Sequence, residues 1–141
     1  MILVDSNIWI DVIQEDPVWL DWSLAQLQQA RASNRVVINP IIYAELAPTY
    51  DEPAQLDHFL KVAKATLKPL PRPAAYAAGR AFLQYRQKRG TKTGVLPDFF
   101  IGAHAQTEGW PILTRDVARY ATYFPTVKLI ARVISVQRSG Y

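Results

Sequence analysis

At 141 residues, 50% hydrophobic and 20% charged, the chain has the balance of a globular protein and length enough for one domain over 1–141 with a buried core. The absence of cysteine excludes disulfides and thiolate metal sites, which suits a reducing cytoplasm. No basic lead followed by an apolar run opens the chain and no stretch of about 18 apolar residues occurs, so neither a signal peptide nor a membrane span is expected, while the formal charge of +4 fits attraction to polyanions as well as plain solubility.

Five short apolar runs read as strands, and helical patterns lie between them. "ILV" at 2–4 stops at Asp5. Residues 17–30 place Trp19, Leu20, Leu24 and Leu27 at helical spacing, with Pro17 suited to a first turn. "RVVIN" at 35–39 is the second strand, and a short helix is expected over 41–47 after Pro40. A helix over 53–64 carries Leu56, Phe59, Leu60 and Ala63, and "ATLKPL" at 65–70 follows as a weaker strand. The next helix, 73–89, carries Tyr76, Ala77, Phe82 and Tyr85 and ends in basic residues before Gly90. A helix over 97–108 stops at Gly109. "WPILT" at 110–114, a short helix over 116–123 and "TVKLIA" at 126–131 close the pattern. Short strands without polar alternation suit a sheet covered on both faces. Their alternation with helices predicts an α/β fold with a mostly parallel sheet. The ten prolines are scattered as punctuation and mark no linker.

In such folds ligands bind beyond the carboxyl ends of the strands, and four acids fall there or in apolar company. Asp5 ends the first strand, where an Asp also serves as a turn former. Glu45 sits in "IIYAELA", on a short helix that could turn it to solvent. Asp98 follows Pro97 at a helix start, and Asp116 follows "ILTR"; both positions suit a capping acid. Taken together they say more. If the fourth strand lies beside the first, Asp5 and Asp116 project from the same edge. Helices that run back across the sheet bring Asp98, and more distantly Glu45, to that edge. Four clustered carboxylates repel one another unless a cation is bound or some are protonated. Oxygen ligands of this kind suit Mg²⁺ or Mn²⁺, and such an ion can activate water against a phosphodiester. His58 and His104 are too few for a zinc site. His104 reads as a helix-packing residue and His58 as a surface one.

Four segments in order resemble the PIN-domain ribonucleases, and among them the VapC-type toxins of toxin–antitoxin pairs: "ILVDSNIWID", "INPIIYAEL", "LPDFFIGAHA" and "ILTRDVARYATYFPTVKLIA". The likeness spans nearly the whole chain, is weakest over 48–72, and does not extend past Ala131. It implies a PIN-like three-layer α/β/α sandwich around a five-stranded sheet. Carried over by position, Asp5, Glu45, Asp98 and Asp116 would form an acidic catalytic quartet. Asp5 and Asp98 would be metal ligands, Asp116 would contribute directly or through water, and Glu45 would complete the pocket. Ser6, Asn7 and Thr114 match polar positions beside the metal; Ser6 stands where the family commonly has threonine. The implied activity is Mg²⁺- or Mn²⁺-dependent endonucleolytic cleavage of RNA. The implied partners are a VapB-type antitoxin and a second copy of the chain.

Setting the four acids aside raises the formal balance from +4 by four to +8. Arg80, Arg86, Lys88, Arg89 and Lys92 precede the Asp98 segment, and Arg115 adjoins Asp116. These could guide an RNA backbone, or simply complement a helix end or form a surface ion pair. Trp9, Trp19, Trp22 and Trp110 sit in apolar patterns that suit core or interface rather than base stacking. A haloacid-dehalogenase-type phosphatase also carries an Asp after its first strand. It needs a second acid where this chain has Asn7, however. The remaining alternative is a non-catalytic RNA-binding or scaffold PIN domain, which would be expected to lose acids that this chain keeps.

Overall fold

A computed structural model describes residues 1–88, 90–91 and 94–132. Its sheet has five strands: β1 (Ile2–Val4), β2 (Val36–Ile38), β3 (Ala65–Leu67), β4 (Ile112–Leu113) and β5 (Leu129–Ile130). They lie in the order β3-β2-β1-β4-β5, and every pairing is parallel. The helices are α1 (Ser6–Ile13), α2 (Leu20–Ser33), α3 (Pro40–Leu46), α4 (Pro53–Val62), α5 (Arg72–Gln87), α6 (Leu96–Glu108) and α7 (Val117–Ala121). The chain winds from β1 outward to β3, then crosses back to β4 and β5. Right-handed crossovers in opposite directions place helices on opposite faces, which gives the three-layer α/β/α sandwich. Because β2 and β4 flank β1, the winding reverses at β1 and β4, and their carboxyl ends open at the switch point.

Burial explains the apolar runs. All three residues of β1, all three of β2 and both of β4 are buried, whereas the edge strands β3 and β5 are half exposed. The core joins Leu3, Val4, Ile8, Trp9, Val37, Ile38, Ile42, Leu46, Ile101, Ile112 and Leu113. The Trp9 indole N–H donates to the Val4 carbonyl at 3.2 Å, so its polar atom is satisfied inside that core. The expected strand spans were longer than these paired cores, although Arg35, Lys68, Pro111, Thr114 and Lys128 at their ends still make backbone hydrogen bonds to the neighbouring strands.

Several elements depart from the expectations. The second helix begins at Leu20, not at Pro17: Asp16 accepts from the amides of Val18 and Trp19, both at 2.8 Å, and holds 17–19 as a turn. Helix α1 was legible only through the resemblance, because a buried Asp11 interrupts its apolar face. On α5 the face turned inward is Ala74, Ala78 and Ala81, not Tyr76, which is 70% exposed. These small residues let α5 lie close along α6, where Phe82 and Tyr85 meet Phe99. Gly109 caps α6 in the left-handed conformation (φ 73°), as expected for a helix stop. Asp116 is the N-cap residue of α7, which is shorter than the expected 116–123. Among the described residues no helix is long and apolar enough to cross a membrane.

Candidate active site

The site is built around Asp5. Its carboxylate is fully buried at the end of β1 and caps α1 by accepting from the Ser6 amide at 2.8 Å. Its Oδ2 accepts from the Tyr120 hydroxyl at 2.7 Å and the Thr114 hydroxyl at 2.8 Å. A charge held by several donors is tolerated at a depth where a lone one would not be. Asp5 therefore does form the turn contact its position suggested, but with one oxygen only.

The neighbouring strand supplies the next acid. Parallel pairing sets Val4 opposite Leu113, so the residues after β4 emerge beside Asp5. Asn7 ties the two ends together: its Nδ2 lies 3.3 Å from Asp116 Oδ2 and 3.4 Å from both Asp5 Oδ2 and Thr114 Oγ1, and its Oδ1 accepts from the Arg115 amide. Asp116 is half exposed and makes no side-chain cap to α7.

Glu45 and Asp98 come from α3 and α6. Asn39 caps α3 by accepting from the Ile42 amide at 2.9 Å, and Pro40 fits the first turn, which fixes the helix that carries Glu45. The Ser6 hydroxyl donates to Glu45 Oε1 at 2.9 Å and so links Glu45 to the Asp5 turn. Burial pushes the Glu45 carboxyl up, against the Ser6 hydrogen bond, and Asp5 adds to the rise. Asp98 sits in the first turn of α6, and Arg119 donates to its Oδ1 at 3.3 Å. Burial raises the Asp98 carboxyl most. Arg119 opposes the rise, while Asp5, Glu45 and Asp116 each add to it, leaving the group at about 6. Asp5, Glu45 and Asp116 therefore all bear on Asp98, and Ser6, Asn7 and Arg119 link the four acids by side-chain contacts at the switch point.

Two residues of this pocket were not singled out from the sequence. Tyr120 lies four residues past Asp116 and points its hydroxyl at Asp5. Burial first, and then the Asp5 charge, hold its phenol well above the ordinary range, so it remains a donor. Arg119 spans Asp98 and Asp116, at 3.3 Å from each. Helical spacing from Asp116, three residues for Arg119 and four for Tyr120, was the available signal.

The remaining candidates divide. Ser6 and Thr114 are buried in the pocket. Arg86 and Lys88 are exposed at the end of α5, with the Lys88 ammonium 5.8 Å from the Tyr123 ring centre. Arg89 and Lys92 lie outside the described residues. Arg115 takes the ion-pair alternative: its Nε is 3.1 Å from the buried Asp11 Oδ2, although the N–H is not aimed as a hydrogen bond, and its guanidinium lies over Trp19. His104 is a buried packing residue on Trp110, bonded through Nδ1 to Asn39 at 3.1 Å, and burial holds it below its usual range. His58 is exposed. Trp9 is core, whereas Trp19, Trp22 and Trp110 are half-buried.

The donors facing the pocket are carboxylate and hydroxyl oxygens, a set that fits a hard divalent cation and not zinc. Among the described residues no three acids or histidines yet stand as a ready ligand cage. The guanidinium of Arg119 joins two of the carboxylates instead.

A wholly parallel sandwich with interacting carboxylates at its switch point defines the class of the molecule. Residues 2–124 match the PIN domain family, and the chain belongs to it. Solved structures share the fold at low identity. A VapBC2 complex of Rickettsia felis bound to a promoter DNA fragment matches with TM-score 0.72 and 21% identity, over 94% of this chain and 100% of that one. VapBC-1 of nontypeable Haemophilus influenzae matches with TM-score 0.67 and 17% identity, over 93% and 98%. VapC20 of Mycobacterium tuberculosis, a toxin that cleaves the sarcin–ricin loop, matches with TM-score 0.60 and 13% identity, over 91% and 99%. No curated protein matches the chain.

Proposed function

We propose that the protein is a VapC-type toxin: an endoribonuclease dependent on Mg²⁺ or Mn²⁺, working in the cytoplasm and restrained by a VapB-type antitoxin. The observation that best supports this is the chain of contacts that gathers the acids: Ser6 joins Asp5 to Glu45, Asn7 bridges Asp5 and Asp116, Arg119 pairs with Asp116 and Asp98, and burial with the neighbouring acids raises the Asp98 carboxyl. Repulsion and burial of that kind are costly unless a cation offsets them. In this reading Asp5 and Asp98 hold the ion, with Asp116 directly or through water and Glu45 completing the negative wall. An ion held there would supply water activation and charge stabilisation for attack on a phosphodiester. Thr114 and Tyr120 orient the Asp5 carboxylate, and Ser6 couples it to Glu45. Exposed Arg86 and Lys88 attract the phosphate backbone. The Trp-rich stretch 9–22, with Trp19 and Trp22 half-buried, takes the antitoxin or a second copy of the chain.

The test is RNA cleavage with Mn²⁺ by the wild type, Asp5→Asn and Asp98→Asn. Cleavage by the wild type alone is expected. Equal cleavage by all three removes the assignment. Binding of RNA with no cleavage by any of them supports the non-catalytic PIN reading.

A further inference from the structure

Arg119 stands where the pocket needs positive charge. Its Nη1 lies 3.3 Å from Asp98 Oδ1 and its Nε 3.3 Å from Asp116 Oδ2, so one guanidinium joins carboxylates from two different elements. Asp98 comes from the first turn of α6 and Asp116 from the N-cap of α7. The Arg119 side chain is 44% exposed, so it can turn into solvent without opening the core. A divalent ion takes carboxylate oxygens at about 2.0–2.2 Å, with several positions around it filled. A guanidinium that donates to Asp98 and pairs with Asp116 occupies positions the ion would use, and it repels a second cation at that range.

On the reading of this pocket as a metal site, we propose that Arg119 is its resident counter-cation, joining Asp98 to Asp116 while no metal is bound and giving way when a divalent ion enters. Arg119 is then a positioning residue. It keeps two carboxylates from separate elements aligned in the empty pocket, and it sets how readily the pocket loads. An ordinary surface ion pair would do neither, because such pairs are weak and screened.

Calorimetric titration with Mn²⁺ distinguishes the two. The proteins compared are the wild type, Arg119→Met, Arg119→Gln, Arg119→Lys, and Lys61→Met as a charge control on the exposed face of α4. Thermal unfolding without metal is measured alongside. Both neutral variants are expected to bind Mn²⁺ about three- to tenfold more tightly than the wild type, and to unfold at lower temperature without metal. Arg119→Lys and Lys61→Met should stay near the wild-type Kd. The glutamine variant keeps a polar side chain in case the methionine variant folds poorly. Unchanged or weaker Mn²⁺ binding by the neutral variants, with the wild type binding normally, overturns the role of Arg119 and leaves the metal reading intact. No Mn²⁺ uptake by the wild type or by any of the variants overturns both.

Discussion

Asp98 is the residue on which the site turns. In the folded, metal-free protein its carboxyl is raised from 3.8 to about 6, so the fold binds its proton more tightly than the unfolded chain does. The folded state then carries more protons between those values, and stability falls as pH rises through that window. Glu45 is shifted in the same direction. Asp98→Asn should flatten this fall. Above pH 6 the metal-free variant should be as stable as the wild type or more so, while binding Mn²⁺ more weakly. Urea denaturation across pH 4–8 measures it, and a marked loss of stability at every pH would assign Asp98 to helix capping instead. Tyr120 offers a second prediction. Tyr120→Phe leaves Asp5 buried with one donor fewer, so unfolding free energy should drop by about 1–2 kcal/mol and Mn²⁺-supported cleavage should slow. Unaltered values for both would show that the hydroxyl does not orient Asp5. Asp5, Asp98 and Asp116 were legible as candidates because carboxyl ends of strands and starts of helices are positions with a fixed sense, whereas Glu45, late in α3, stood out only by its apolar neighbours. Arg119 and Tyr120 were not legible, since a basic residue on a short helix and an aromatic in an apolar run have commoner uses.

At the scale of elements, the site depends on how closely α6 seats against its neighbours. Gly102 makes this possible: a Cβ placed there would lie 2.3 Å from Cδ2 of the buried Phe124 ring. Gly102→Ala gains about 1 kcal/mol of helix propensity, but Phe124 has no solvent to move into, so overpacking should win by about 1–3 kcal/mol. Denaturant unfolding checks the sign, and a stabilised variant would show that the ring moves freely. The sequence pattern placed β1, β2, β4, α4 and α6 well, because continuous apolar strands and a glycine stop are local signals. It extended α2 to Pro17, because the Asp16 turn that delays the helix competes with proline's usual place in a first turn. It misplaced the inner face of α5, where three alanines rather than Tyr76 are buried: close helix approach selects small residues, and periodicity alone favours large ones.

For the whole molecule, topology carries the functional reading. The order β3-β2-β1-β4-β5 sets Asp5 and Asp116 on neighbouring strand ends, which meets the condition on which their closeness depended. That the winding reverses there was not readable from local pattern. The charge balance has a testable consequence at this scale. Replacing Arg86 and Lys88 together with alanine should weaken RNA binding without regard to sequence and lower the salt dependence by about one to two phosphate contacts. Filter binding between 50 and 200 mM salt would measure this, and an unchanged slope would mean these residues never meet the backbone. The claim beneath all of this is that the carboxylates form one metal pocket. The most direct measurement is anomalous diffraction from crystals of the wild-type protein soaked in Mn²⁺. The account predicts a manganese peak between Asp5 and Asp98. A fully occupied soak with no peak in that pocket, or with manganese only elsewhere on the surface, would contradict it.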